Sequence, residues 1–253
     1  MAERTPLVAA NWKMHKTVAE TEAFLDALLP RVAGLGPAEL VVCPPYPSLA
    51  AAVARCAGSG VRVAAQNMHS EPEGPFTGEI AAPMLTELGV DAVVLGHSER
   101  RRLFGESDEA LARKVPAALE ARLTPILCVG ETDAERDAEQ TEAVLRRQLD
   151  ADLAAVEDAD LGRLVVAYEP IWAIGTGRNA TPEQAEEAIG FIRELLAARD
   201  PEAAATVRIL YGGSVKTGNA AELFSLPSID GGLVGGASLD PGDFAAICAA
   251  ARR

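Results

Sequence analysis

Eight short runs along this chain are apolar at almost every position. They are Leu7–Ala10, Leu40–Cys43, Val61–Ala65, Ala92–Leu95, Pro125–Val129, Leu164–Tyr168, Val207–Tyr211 and Gly232–Val234. Each gives way to glycine, proline or polar residues, and then to a segment with apolar positions three and four apart. Such helical spacing marks Thr21–Val32, Ser107–Ala121, Thr132–Val156 and Thr181–Arg199. A strand that is apolar throughout, rather than alternating, is buried on both faces, as in a parallel sheet covered by helices. Eight such β/α units predict a closed (β/α)8 TIM barrel, formed as one domain over residues 1–253. An open doubly wound sheet is the competing architecture. It would more often carry a glycine-rich dinucleotide turn after its first strand, where this chain has Asn11-Trp12-Lys13.

A barrel of this kind builds its site from the loops that follow the strands. The chemistry is therefore expected at Asn11 and Lys13, Gln66 and Asn67, His97, Glu131, Glu169, Ser214, and Gly235-Gly236. Glu169 ends the run Leu164-Val165-Val166-Ala167-Tyr168, and Pro170 then removes a backbone donor and stops the ladder. The following Ile171-Trp172-Ala173-Ile174-Gly175-Thr176-Gly177 is apolar in its middle and glycine-rich at its end, and Thr181-Pro182-Glu183 starts the next helix. An apolar loop hung beside an acid reads as a lid that expels water before a proton moves.

Tyr211-Gly212-Gly213-Ser214-Val215 and Gly231-Gly232-Leu233-Val234-Gly235-Gly236-Ala237 follow the last two strands. Glycines there let backbone N–H groups approach an anion, and this is where barrels commonly hold a phosphate. Taken singly, a Gly-Gly pair is an ordinary tight turn; two of them on adjacent final strands favour the phosphate. Lys13, between Trp12 and Met14, can supply a point charge to an anionic ligand, although a lone lysine of this kind usually snorkels to solvent. His97 precedes Ser98-Glu99-Arg100-Arg101, a short helix start, where positive potential pushes imidazole toward its neutral form. Glu99 is placed to pair with Lys13 or with the neighbouring arginines.

The 253 residues carry a net charge of −14, with 49% hydrophobic, 24% charged and only 4% aromatic residues. An acidic surface argues against a nucleic-acid partner. It also opposes an anionic substrate at long range, so such a substrate needs a local trap. Cys43, Cys56, Cys128 and Cys248 are far apart, and His15, His69 and His97 share no metal-ligand spacing with them. A zinc site is not expected. With no leader pattern and no apolar run long enough to span a bilayer, the expectation is a cytoplasmic protein with no membrane partner.

Asn11-Trp12-Lys13-Met14, Gly96-His97-Ser98-Glu99-Arg100-Arg101, Cys128-Val129-Gly130-Glu131, Ala167-Tyr168-Glu169-Pro170-Ile171-Trp172-Ala173-Ile174-Gly175-Thr176-Gly177, Tyr211-Gly212-Gly213-Ser214-Val215 and Gly235-Gly236-Ala237-Ser238-Leu239 together resemble the triosephosphate isomerase family. They stand in that family's order, from residue 11 to residue 239. The resemblance implies interconversion of dihydroxyacetone phosphate and glyceraldehyde 3-phosphate in glycolysis and gluconeogenesis, with no cofactor. It implies that Glu169 is the proton-transferring base and His97 a neutral electrophile, a pairing established for that family together with lid closure. Lys13 and Asn11 would hold the substrate, Glu99 would support Lys13, and Gly175, Ser214, Gly235 and Gly236 would offer N–H groups to the phosphate.

The same resemblance covers Gln66-Asn67 and Gly74-Pro75-Phe76-Thr77-Gly78-Glu79, which implies a homodimer in which Thr77 reaches toward the partner's Asn11. Two features depart from the family pattern. Arg178-Asn179 stands at the far lid hinge, where many relatives carry Lys with Thr or Ser, and Ser70-Glu71-Pro72-Glu73 makes the intersubunit loop acidic. The alternatives are another phosphate-binding barrel enzyme, which need not have His97 and Glu169 together, and a non-catalytic sugar-phosphate-binding dimer, which should have lost one of Lys13, His97 and Glu169.

Overall fold

The computed structural model of the chain describes residues 4–174, 178 and 180–251. Eight parallel strands close on one another in chain order: β1 (Leu7–Asn11), β2 (Glu39–Cys43), β3 (Val61–Ala65), β4 (Ala92–Leu95), β5 (Thr124–Val129), β6 (Val165–Tyr168), β7 (Arg208–Tyr211) and β8 (Gly231–Val234). The apolar runs locate every one of them to within a residue at each end. Closure is made by β1, whose Leu7 lies opposite Glu39 of β2 on one side and Gly231 of β8 on the other.

Successive side chains of a strand point to opposite faces, so each run feeds two separate apolar layers. Leu7, Ala9, Val41, Cys43, Ala64, Val94, Ile126, Cys128, Val165, Ala167, Leu210 and Leu233 fill the barrel interior. Val8, Ala10, Trp12, Val42, Val63, Val93, Leu127, Val166 and Ile209 face outward and pack under the helices with Leu25, Leu28, Leu111, Leu145, Ile189, Ile192 and Phe244. The inner set is rich in alanine and cysteine because the side chains of eight strands converge there, whereas the outer set takes the bulk.

The helices are α1 (Val18–Val32), α2 (Leu49–Cys56), α3 (Ala82–Leu88), α4 (Ser98–Phe104), α5 (Asp108–Glu120), α6 (Asp133–Asp137), α7 (Thr141–Asp152), α8 (Pro182–Arg199), α9 (Pro201–Thr206), α10 (Ala220–Phe224) and α11 (Pro241–Ala250). Thr17 and Thr181 cap α1 and α8 through reciprocal bonds with Glu20 and Gln184. The single helix expected over Thr132–Val156 is instead two, α6 and α7. The break falls at Ala138–Gln140, where Glu139 takes a left-handed φ of 55°. Only α7 turns side chains into the core, through Val144, Leu145, Gln148, Leu149 and Asp152, whereas α6 buries none, so the periodicity of α7 says nothing of the turn before it.

All four cysteines are free and buried. Burial pushes the Cys43 and Cys248 thiols up to about 12 and Cys56 up to about 11, and it lifts Cys128 well above its usual value. They therefore behave as small apolar residues. Among the described residues no helix is long and apolar enough to cross a membrane, and no group of His, Cys, Asp and Glu is arranged to hold a metal ion.

Candidate active site

The inward alternation of the strands carries straight into the site. On β1 the series Leu7, Ala9 continues to Asn11, and on β6 the series Val165, Ala167 continues to Glu169, so an amide and a carboxylate cap the apolar filling of the barrel. β4 reaches the same level differently. Gly96 follows it with φ 71°, a left-handed turn that ends the strand, and His97 then becomes the N-cap of α4. A cavity of about 320 Å³ at this end of the barrel is lined by Asn11, Lys13, His97, Glu169, Ser214, Gly235 and Gly236, with Ala173, Ile174, Gly213 and Lys216 among the other walls.

Glu169 is 2% exposed. Its backbone N–H donates to the Val129 carbonyl at 2.8 Å, which zips the ends of β5 and β6 together before the chain turns at Pro170 into a 3-10 turn over Ile171–Ala173. The Ser98 amide donates to Oε2 at 2.7 Å, the Ser98 hydroxyl lies 3.3 Å from Oε1, and Nε2 of His97 is 3.0 Å from Oε1. Burial alone would raise the carboxyl pKa, but the His97 charge and hydrogen bond, the Ser98 amide and Lys13 outweigh it and hold it below 4.5. Gly212 leaves the arm its room, because a side chain there would begin 2.9 Å from Cγ of Glu169.

Nδ1 of His97 accepts the Glu99 amide at 3.3 Å, so the proton of the uncharged ring belongs on Nε2, facing Glu169. The expectation that the helix start sets the charge of this ring needs correction. Burial does disfavour the charged ring, but the Glu169 carboxylate 3.0 Å away prevails, and the His97 pKa stands above its usual 6.5. A carboxylate in contact favours the charged ring both by its charge and by its hydrogen bond.

Lys13 has a left-handed φ of 52°. Such a backbone is unfavourable for a residue with a Cβ and persists only where neighbours over-determine it. Here its N–H donates to Oδ1 of Asn11 at 3.1 Å, and Gln66 donates to its carbonyl at 2.9 Å while also donating to the Cys43 carbonyl at 2.8 Å. The ammonium pairs with Glu99 at 2.8 Å rather than leaving Glu99 to the arginines. Both side chains of that pair are about a third exposed, so water screens it and its value lies in aim more than in stability.

Thr77 sits on an exposed segment after β3 and does not line the cavity, and Gly175, with Thr176, Gly177 and Asn179, lies outside the described residues. Asn67, on the same stretch as Gln66, is engaged by the buried ammonium of Lys114, 2.9 Å from its Oδ1. Glu131 is buried but does not line the cavity: its Oε1 accepts from Trp172 Nε1 at 2.8 Å and Tyr168 Oη at 3.0 Å, anchoring the segment that follows Glu169. Arg178 pairs with Asp133 and stacks over Trp172, with 5.2 Å to the ring centroid.

Ser98, Lys216 and the clamping role of Gln66 were not apparent from sequence. For Ser98 a signal was there, since the residue after a strand-end histidine at a helix start presents a free amide.

A barrel whose mouth holds an ionised carboxylate, an imidazole and an ammonium beside glycine turns belongs to the class of enzymes that shuttle protons on a small anion. Sequence relationships narrow the class. A family model described as triosephosphate isomerase matches residues 6–251. The triosephosphate isomerase of Symbiobacterium thermophilum is 56% identical over 249 residues, which is 98% of this chain and 97% of that protein. Those of Thiobacillus denitrificans and Clostridium novyi are 54% and 51% identical, over 99% and 96% of this chain and 100% and 98% of theirs. The chain belongs to the triosephosphate isomerase family. It is an isomerase of glycolysis that interconverts dihydroxyacetone phosphate and D-glyceraldehyde 3-phosphate.

Proposed function

We propose that Glu169 is the base of this isomerisation, taking a proton from one carbon of the triose phosphate and returning it to the next through an enediolate. The observation that carries this reading is the placement of the carboxylate, held below its usual pKa and bonded to His97 and Ser98, at the wall of the one cavity that Lys13 and the glycine turns also line. In the arrangement described, Glu169 is parked on Ser98. Turning from that amide toward a bound substrate frees it for the carbon, and the same movement withdraws its charge from His97. What then acts on the imidazole is burial and Lys13, which favour the neutral form, against the Glu99 carboxylate 3.7 Å from Nδ1, which favours the charged one. A neutral Nε2–H can donate to either substrate oxygen as charge develops, and fixed donors of this kind act mainly on the transition state.

Asn11 and Lys13 hold the substrate and its enediolate, Glu99 aims Lys13, and the backbone at Ser214, Gly235 and Gly236, with Gly175, receives the phosphate. No cofactor takes part. The test is a coupled assay converting glyceraldehyde 3-phosphate to dihydroxyacetone phosphate, with Glu169→Gln as control. Turnover by the control equal to that of the unsubstituted protein would remove Glu169 from the role. For Lys13→Ala, KM should rise and kcat fall together, with kcat/KM lower by roughly tenfold or more, the value of a hydrogen bond to a charged group. Unchanged kinetics would take Lys13 out of the site.

The whole chain, 1–253, is read as one barrel domain that works as a homodimer in the cytoplasm and takes part in gluconeogenesis as well. Support for the dimer comes from large apolar side chains left in solvent around the mouth: Met14 beside Lys13, Phe76 beside Thr77, and Leu103 and Phe104 on α4. A second copy covering them would bring Thr77 to the neighbouring Asn11. Light scattering should return twice the mass of one chain, and a single-chain mass in an active preparation would overturn the dimer.

A further inference from the structure

Lys16 lies three residues past Lys13 in the connection from β1 to α1, and the chemistry above makes no use of it. Its φ is 73°, left-handed and unfavourable for a residue with a Cβ. The backbone is held there from the C-terminal side, because Thr17 is the N-cap of α1 and its N–H donates to Oε2 of Glu20 at 2.8 Å. The side chain then turns inward. Nζ stands 5.5 Å from the ring centroid of Trp12 and 4.5 Å from that of Phe24, and it donates to the carbonyl of Leu239 at 2.9 Å.

Leu239 closes the 3-10 turn Gly236–Leu239, whose first residues line the cavity. The ammonium therefore sits at the C-terminal end of that turn, where the backbone dipole favours a cation. The other end is secured as well: the Ser238 amide donates to the Gly235 carbonyl at 2.8 Å, and the Ser238 hydroxyl reaches the Gly235 carbonyl at 2.7 Å or the Val234 carbonyl at 3.0 Å. Between these anchors Lys13 passes over Gly235, its Cε 3.6 Å from where a side chain at Gly235 would begin. One short loop thus delivers Lys13 to the cavity and, three residues on, ties itself to the far end of the turn that Lys13 faces.

We propose that Lys16 is a positioning residue that locks the β1 loop onto the β8 turn and so sets the spacing between the Lys13 ammonium and the backbone that receives the substrate phosphate. The inference rests on the reading of Gly235 and Gly236 as phosphate-binding. Its cation–π seat explains why a lysine is used rather than a neutral donor, since the rings of Trp12 and Phe24 reward the charge while the Leu239 carbonyl directs it.

The test compares Lys16→Met, which keeps the stem against the rings but loses the donor and charge, with Lys16→Arg, which keeps both. For Lys16→Met, KM for glyceraldehyde 3-phosphate and the inhibition constant of inorganic phosphate should both rise about tenfold, with kcat lower by no more than about threefold, the loss of one charged hydrogen bond acting through binding. Lys16→Arg should recover most of both. Should Lys16→Met fail to fold, Lys16→Leu, which also lacks donor and charge, carries the same expectation. If either neutral variant binds phosphate as tightly as the unsubstituted protein while its unfolding midpoint drops, Lys16 serves stability alone and the inference is overturned. A fall in kcat with KM unmoved would also overturn it. If phosphate does not inhibit the unsubstituted protein, the phosphate reading of the β8 turn fails and takes this inference with it.

Discussion

Glu169→Asp is expected to lower kcat by on the order of a hundredfold, because it retracts the carboxylate by one methylene and a misplacement near 1 Å costs about that much in a pre-organised site. The backbone cannot follow the shorter arm. Glu169 is pinned by its N–H to Val129, two residues on Ile171 N–H donates to the Glu131 carbonyl at 3.1 Å, and Pro170 between them has a fixed φ. The substitution also withdraws the oxygens from the Ser98 amide and from His97, so the aspartate is held less firmly below its ordinary pKa. Steady-state kinetics in both directions, with far-ultraviolet circular dichroism to show an unaltered fold, provide the measurement. An aspartate variant with undiminished kcat would mean that the proton is carried by some other group.

Gly130→Ala is expected to damage both stability and rate. A Cβ at this position would stand 1.8 Å from the Glu169 carbonyl oxygen and 2.7 Å from its carbonyl carbon. Gly130 cannot yield, because Gln148 grips it from the outside, accepting its N–H at 2.8 Å and donating to its carbonyl at 3.2 Å. The strain must go into the main chain of Glu169, which has to retreat by about 1.2 Å to restore even a 3.0 Å contact, again enough for roughly a hundredfold in rate. Overpacking of this kind in a closed interior costs about 1–3 kcal/mol. Urea unfolding and kcat measured on the same preparation decide it. An alanine variant matching the unsubstituted protein in both would show that β5 and β6 separate more easily than their hydrogen bonds indicate.

Both cases turn on contacts between segments far apart along the chain. The motif Cys128-Val129-Gly130-Glu131 is visible along the chain, yet nothing in its letters says what the glycine is for. Its reason is a backbone crossing from β6, 39 positions later, and a contact of that kind has no local signature. Ser98 is similar. It follows His97 in a readable motif, but that its amide holds the carboxylate of Glu169 depends on β4 and β6 presenting their ends to one cavity across the barrel mouth. Gln66 completes the set: a polar residue after β3 reads as a candidate ligand, whereas in the fold it spends its two donors on the carbonyls of Lys13 and Cys43.

By itself the chain determined its strands, their parallel arrangement, and the end of the barrel at which chemistry gathers. Those follow from burial periodicity and from proline, glycine and capping residues, which act over a few positions and are written in order. Asn11, Lys13, His97, Glu169 and the two glycine turns were legible as cavity-lining candidates for the same reason, since each lies at the end of a strand or within two residues of it. Only the tertiary structure decided the break between α6 and α7, the charge balance of His97, the left-handed backbones at Lys13 and Lys16, and the clasp from Lys16 to Leu239. These are settled by groups distant in sequence that meet within a few ångströms, and a pKa or a strained φ is a property of that meeting rather than of any residue taken alone.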